Sequence, residues 1–321
     1  MSVLFLGEAI VDLVCEQPAR DMTDAPAFVP HCGGAVANAA VAAARYGAEV
    51  ALAGGVGDDA WGRWLEERLR DAGVGLRWFN RILSLATPVA FVVVDEHGEP
   101  SFNVYGHGIE AGVESVSPQL DQAIGWAQAV SLGSNTLVGE DEKRISLEAR
   151  RLALDQGKHF VFDPNLRMHR WPDKAYAREL MRETCDGALL VKVNREEAAF
   201  ITGADDPAEM ADAICALGAS VAVVTLGADG ALARGRARAD MSGVPARVVD
   251  ATGAGDVVTG VLVAALSAAD FDPGVIAQAL PAAVEAAARS TERWGAVDSL
   301  PGTENEALRS RRSRRMRHLG T

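Results

Sequence analysis

The sequence predicts an α/β fold: a central, mostly parallel sheet covered by helices on both faces, with a small β element inserted near the N-terminus. Three observations predict it. From residue 117 onward, short apolar runs alternate with helical stretches, the pattern of a doubly covered parallel sheet. Between residues 89 and 105, two strand-like runs flank a glycine-containing turn with no helical pattern between them, which reads as a hairpin and not a βαβ unit. The chain has 321 residues, 49% of them hydrophobic and 23% charged. A chain of that length buries about 75% of its unfolded surface, so a sizeable core is expected.

The elements are taken in chain order. Val3–Leu6 is an apolar run closed by Gly7 and continued by Ala9–Val14; together they read as a buried first strand. Residues 35–46 form a helix of small residues that stops at Gly47, a C-cap glycine. Glu49–Ala53 is a strand, and Asp59 caps a helix running to about Ala72. Val89–Val94 and Ser101–Tyr105 are the hairpin strands around Glu96-His97-Gly98-Glu99. Ser117-Pro118 is an N-cap and N1 pair. Beyond it, strands at 129–132, 159–163, 188–193 and 221–226 alternate with helices at 140–156, 173–185 and 207–217. Two Ala-rich helices, about 255–269 and 274–293, complete the pattern.

Composition excludes several classes. Lys and Arg number 31 against 44 Asp and Glu, a net charge of −13. A general nucleic-acid coat would be basic, so no nucleic-acid partner is expected. No apolar run reaches the roughly 20 residues of a membrane helix, and MSVLFLGEAIVDLV lacks the basic start of a signal peptide. The four cysteines are scattered without a CxxC pair; they read as small buried hydrophobes in a reducing, cytoplasmic compartment. Residues 305–321 read as a basic, disordered tail, with six arginines between Arg309 and Arg317 and the solvation typical of chain ends.

The strongest chemical signal is VVDATGAGDVVTG, residues 248–260. Asp250 closes an expected strand, a turn of small residues follows, and a helix begins near Gly255. Unpaired amides at a helix start, with the dipole behind them, form a nest for phosphate. Asp256 falls in the first helical turn. A carboxylate beside such a nest repels the phosphate, so it makes sense as a base that takes a proton from an attacking hydroxyl. A second signal is HCGGAVANAAVAAARYG, residues 31–47, where Gly33-Gly34 precede a helix and Asn38 lies on its first turn. That arrangement can present amides to a polyol, or it can serve only close helix packing. Weaker signals end three later strands: Asp163-Pro164-Asn165-Leu166-Arg167, Lys192-Val193-Asn194-Arg195-Glu196-Glu197 and Thr225-Leu226-Gly227-Ala228-Asp229-Gly230. Ligands of open α/β sheets bind outside such ends. A P-loop is absent, since Gly157-Lys158 is followed by His159. No Rossmann fingerprint, GxSxG elbow or metal-type histidine spacing occurs.

On these residues the sequence resembles the PfkB (ribokinase-like) carbohydrate kinases over roughly residues 3–300. GGAVANAAVAAARYGAEVALAGGVGDDAWG and DATGAGD are similar to the two family signatures; GEAIVDL and FDPNLR resemble the fructokinase and 2-keto-3-deoxygluconate kinase branch. The resemblance implies a ribokinase-like kinase domain over 1–304 whose β-sheet lid takes strands from about 12–32 and 86–110, and a homodimer built through that lid. It implies ATP and Mg²⁺ as cofactors and a sugar as substrate. Asp256 would be the catalytic base, with Gly253, Ala254 and Gly255 as anion hole. Asp12, Gly33, Gly34, Asn38, Tyr105, His107 and Arg167 would hold the sugar. Asn165, Asn194, Thr225, Gly227 and Gly230 would join Gly253 and Gly255 on the nucleotide. Asn194 and Glu197 would organise Mg²⁺ largely through water, and a monovalent cation would sit near Asp250 and Thr252. Two departures stand out. Val284 replaces a late-helix Asn that many relatives place by the adenine. Tyr105-Gly106-His107 replaces a Tyr-Arg pair, which favours a neutral ketose such as fructose over 2-keto-3-deoxygluconate. A nucleoside kinase and a non-catalytic sugar or nucleotide sensor are the alternative readings.

Overall fold

The computed structural model describes residues 1–106, 108–296, 298 and 300. His107 and the basic 305–321 segment lie outside the described residues. The chain runs β1 (Ser2–Leu6), β2 (Ile10–Val14), β3 (Val29–Gly33), α1 (Ala35–Arg45), β4 (Glu49–Gly57), α2 (Ala60–Asp71), β5 (Gly75–Ile82), β6 (Val89–Val94), β7 (Pro100–Tyr105), α3 (Gly108–Glu114), α4 (Leu120–Trp126) and β8 (Ala129–Leu132). It continues through α5 (Glu140–Asp155), β9 (His159–Phe162), α6 (Lys174–Cys185), β10 (Leu190–Asn194), α7 (Arg195–Thr202), α8 (Pro207–Ala216), β11 (Val221–Thr225), β12 (Gly230–Gly235), β13 (Ala239–Ser242), α9 (Ala254–Ala268) and α10 (Ile276–Ser290).

Nine strands form the main sheet in the order β13-β12-β11-β10-β9-β8-β1-β4-β5. The pairs from β11 to β5 are parallel, and β12 and β13 extend one edge antiparallel. Because both faces are covered, the strands read as continuous apolar runs. In β1, Val3 and Phe5 enter one core with α1, α2, α9 and α10, while Leu4 and Leu6 enter the other with α4, α5, α6, α7 and α8. Phe5, Phe160 and Phe162 are fully buried, each stabilising the fold by about 1.5–3 kcal/mol.

Four strands form a second, smaller sheet, the lid, in the order β3-β2-β6-β7. The expected first strand is therefore two strands in two sheets. Gly7 donates to Ala53 O at 3.0 Å, the chain turns, and β2 leaves to pair with β3 and β6. Asp59 ties the lid to the body: its side chain caps α2 through Gly62 N–H and also accepts from the Thr87 N–H and hydroxyl, each at 2.8 Å. Three other expectations change. Ser117 lies inside a short 3₁₀ turn whose N-cap is Val116. Asp250 follows an irregular segment and ends no strand. The strands β5, β12 and β13 are additional to those expected from the sequence.

The contact of α1 with α9 positions the buried polar residues. A Cβ on Gly260 would come within 2.4 Å of Ala42 Cβ and 2.6 Å of Ala39 O, so the two helices cross in close contact. The alanine stripe of α1 is thus a packing device. That crossing sets Asn38 of α1 beside Asp256 of α9.

Candidate active site

The carboxyl ends of the parallel strands and the inner face of the lid enclose one group of buried polar side chains. Asp256 is its centre. It is 4% exposed; Asn38 Nδ2 donates to its Oδ2 at 3.0 Å and Asn165 Nδ2 to its Oδ1 at 2.7 Å. Asn165 has a left-handed backbone, φ 43°, which asparagine tolerates better than most residues. Besides its expected place on the nucleotide, it has a hydrogen bond that orients Asp256. Burial, reinforced by nearby Asp163, pushes the Asp256 carboxyl up to about 7, against the pull of Lys192, Asn38 and Arg167. A carboxylate poised there can accept a proton near neutral pH.

Before Asp256 the chain makes the turn expected of an anion nest. Gly253 is the N-cap of α9, at φ 75°, and a Cβ on it would sit 2.4 Å from Ala296 Cβ; both conditions require glycine. Ala254 N–H turns back to Ala251 O at 3.3 Å, while the first-turn amides of Gly255 and Asp256 have no intrahelical acceptor four residues back. The loop ahead of them is pinned. Asp250, 1% exposed, accepts from Thr252 N–H at 2.9 Å and Gly295 N–H at 3.0 Å. The lid touches the same loop: Ala251 N–H donates to Gly98 O at the tip of the β6–β7 hairpin, 2.9 Å away.

Asp12 approaches from β2. Its carboxyl lies over Gly33, where a Cβ would be 2.2 Å from Asp12 Cγ, so Gly33 leaves room for the carboxylate. Gly34, at φ 96°, is the N-cap of α1. Burial first, then the charges of Asp250 and Asp256, push Asp12 up to about 7, opposed by His31 and Arg167. Asp12 Oδ1 and Asn38 Oδ1 are buried acceptors without a hydrogen-bond partner. Arg167 reaches under the lid, its guanidinium 5.6 Å from the Phe102 ring centroid.

Other expected residues are not hydrogen-bonded to Asp256. Tyr105 pairs with Val89, out of phase with the Ala90–Asp12 pair. Its ring therefore lies on the opposite lid face, 5.6 Å from Phe91 and half exposed. Asn194 and Glu197 form a reciprocal capping box at the start of α7 (2.8 and 2.9 Å), and the other Glu197 oxygen accepts from Leu166 N–H at 2.6 Å. With these oxygens committed, the pair does not fit a directly ligated metal. Among the described residues, no cluster of three His, Cys, Asp or Glu could hold one. Thr225 ends β11 beside Val193 O, 3.4 Å away, and Gly227 opens onto free space. Gly230 is required by the fold, since a Cβ there would meet Met241 O at 2.0 Å. Val284 is a core residue of α10.

Four residues belong to this neighbourhood that sequence reasoning gave no role. Glu8, 4% exposed, accepts from Ala35 N–H at 3.2 Å and Asn135 Nδ2 at 3.0 Å, anchoring the start of α1. Asp163, Lys192 and Thr259 form a buried chain below Gly255. The available signal was a lone lysine in the apolar run Leu189-Leu190-Val191-Lys192-Val193.

No helix among the described residues is long and apolar enough to cross a membrane. Fructokinase-1 of Oryza sativa subsp. japonica is 33% identical over 317 residues, covering 96% of each chain. The double-mutant fructokinase of Vibrio cholerae O395, solved with fructose, ADP and potassium ion, superposes with a TM-score of 0.81 at 30% identity, covering 96% of this chain and 97% of that one. Aminoimidazole riboside kinase of Salmonella enterica, complexed with aminoimidazole riboside and an ATP analog, gives 0.80 at 28% identity, covering 96% and 99%. The pfkB family carbohydrate kinase model matches residues 1–302. The chain belongs to the pfkB family of carbohydrate kinases, phosphotransferases that act on a sugar hydroxyl.

Proposed function

We propose that the protein transfers the terminal phosphoryl group of ATP, with Mg²⁺, to a hydroxyl of a neutral ketose, fructose foremost. One observation carries the substrate side. Two buried acceptors, Asp12 Oδ1 and Asn38 Oδ1, lack partners next to Asp256. Buried polar atoms are nearly always satisfied, and a polyol brings the donors they need. A neutral sugar suits the charge balance, because Asp12, Asp250 and Asp256 are buried here, Lys192 is already paired with Asp163, and Arg167 is the cation left on the lid side. The named ligands of the Vibrio cholerae structure, fructose and ADP, point the same way.

In the mechanism, Asp12 and Asn38 orient the sugar and Asp256 accepts the proton of its attacking hydroxyl. Asn38 and Asn165 hold the Asp256 carboxylate while it does so. The amides of 253–255 stabilise charge on the transferred group, a process that is mostly positioning and electrostatics. Thr225 and Gly227 flank the nucleotide. Magnesium would be held through nucleotide phosphates and water, with Asn194 and Glu197 shaping the loop beside it. A monovalent cation fits near Asp250 and the unpartnered Thr252 Oγ1; potassium in the Vibrio cholerae structure supports that reading. The lid over Arg167 excludes water. The kinase unit is assigned to residues 1–304 and to a reducing cytoplasm, in keeping with four free cysteines.

A panel of neutral ketoses, 2-keto-3-deoxygluconate and ribosides, assayed for ADP release with Mg²⁺, tests the proposal. Fructose is expected to turn over fastest. Turnover confined to a riboside or to the acidic sugar reassigns the substrate, and sugar binding without turnover would identify a sensor.

A further inference from the structure

Beneath the anion loop lies a buried ion pair that has no part in the mechanism so far. Lys192 of β10 is 3% exposed. Its Nζ is 2.9 Å from Asp163 Oδ2 and 3.1 Å from Oδ1. The same carboxylate accepts from Thr259 Oγ1 at 2.5 Å, and Thr259 Oγ1 lies 3.3 Å from Gly255 O. A Cβ on Gly255 would come within 2.9 Å of the ammonium. The positive charge is therefore packed directly under the helix start that carries Asp256.

A buried pair of this kind contributes little stability over apolar residues of the same volume, so its place beside the reacting carboxylate is the informative feature. Asp256 is faced by Asp163 from the end of β9, Lys192 from β10, Arg167 from the loop after β9 and Asp12 from β2. Asn38 and Asn165 contact it as neutral donors. Lys192 also faces Glu197 at the start of α7; Asp163, Glu197 and Asp256 together outweigh its burial and keep it protonated. Four carboxylates thus share this region with two cations, and Lys192 is the one held rigidly.

We propose that Lys192 is a positioning residue for phosphoryl transfer: its fixed ammonium keeps Asp256 ionised for catalysis, and Asp163 both holds that ammonium and opposes it. The inference rests on Asp256 being the base. Charge alone then predicts opposite effects from two neighbouring substitutions. Lys192→Met removes the attraction, and Asp163→Asn removes a repulsion while leaving an oxygen for the lysine.

The test is the pH profile of kcat with the best substrate of the panel, for the parent, Lys192→Met, Lys192→Arg, Asp163→Asn and Asp256→Asn. Lys192→Met is expected to move the acidic limb up by about one pH unit or more, the usual scale for a neighbouring charge, and to recover activity relative to the parent between pH 7 and 9. Asp163→Asn is expected to move the limb down. Lys192→Arg should leave it in place even where kcat falls. If Lys192→Met fails to fold, a limb moved down in Asp163→Asn beside an unmoved limb in Lys192→Arg still decides. Limbs that stay put, or that move in one common direction, overturn the proposal. Near-parental kcat in Asp256→Asn would instead remove the base assignment itself.

Discussion

Replacing Asp256 by asparagine should cripple the enzyme and stabilise it at the same time. Burial and Asp163 raise the carboxyl from 3.8 to about 7. Its folded-state pKa lies above the unfolded one, so its favourable contribution is complete below about pH 4 and is lost as pH rises through 7. At pH 8 the ionised group costs about 4 kcal/mol, roughly three units at 1.36 kcal/mol each. Asparagine carries no such cost. It forfeits one of two hydrogen bonds to a charged acceptor, about 1.5–3 kcal/mol, and Asn38 can flip to offer its unpartnered oxygen to the new amide. The net expectation is a gain on the order of 2 kcal/mol at pH 8, vanishing near pH 4. Urea midpoints at the two pH values read this difference, and steady-state assays should show kcat reduced about 10²–10⁴-fold. Nucleotide binding should persist or tighten. Equal destabilisation at both pH values would refute the argument from a buried charge. A kcat within about tenfold of the parent would refute the role as base.

Three further outcomes are expected. Gly33→Ala should push Asp12 off its seat and raise the sugar KM about 10–100-fold, the loss of a hydrogen bond to a charged group, with nucleotide KM unchanged. His31 is held by Asp298 at 2.6 Å and Glu16 at 3.0 Å, which together raise its pKa above 6.5 against burial; this stability is present below pH 6.5 and fades as pH rises through the raised value. His31→Gln should therefore lower the thermal midpoint at pH 6 and matter progressively less at higher pH. The outer lid face, where Phe28, Phe91 and Tyr105 pack edge to face, is proposed to bury itself in a homodimer. Light scattering at micromolar concentration should give twice the chain mass, and Phe91→Asp should give a monomer.

Alternation made the parallel half of the fold legible, and the expected Asp59 cap is present; Asp173 and Asp206 cap the next helices in the same way, a signal the sequence reading did not use. The first apolar run was misleading, because hydropathy does not say that β1 and β2 part company at Gly7. β12 and β13 were hidden by their composition, since GALARG and ADMS carry few branched or aromatic residues. In the site, Asp256, Asn38 and the glycines beside them declared themselves through turn chemistry, whereas Asp12, a strand residue, was named only by the family resemblance. Tyr105 misled because its face depends on register with Val89, and one residue of slip reverses every face. Lys192 and Asp163 escaped because each is ordinary alone and becomes informative only when β9 and β10 stand side by side.

Hairpin tips are usually where a chain accepts inserted residues. The 95–98 turn is an exception. Gly98 O receives the Ala251 amide, and a side chain at Gly98 would strike Val248 at 2.4 Å. An epitope or fluorophore spliced into this tip would pull on the loop that leads into Asp256. The length of that turn is fixed by the distance between two loops far apart in sequence, and diversification of the lid must come through its strands.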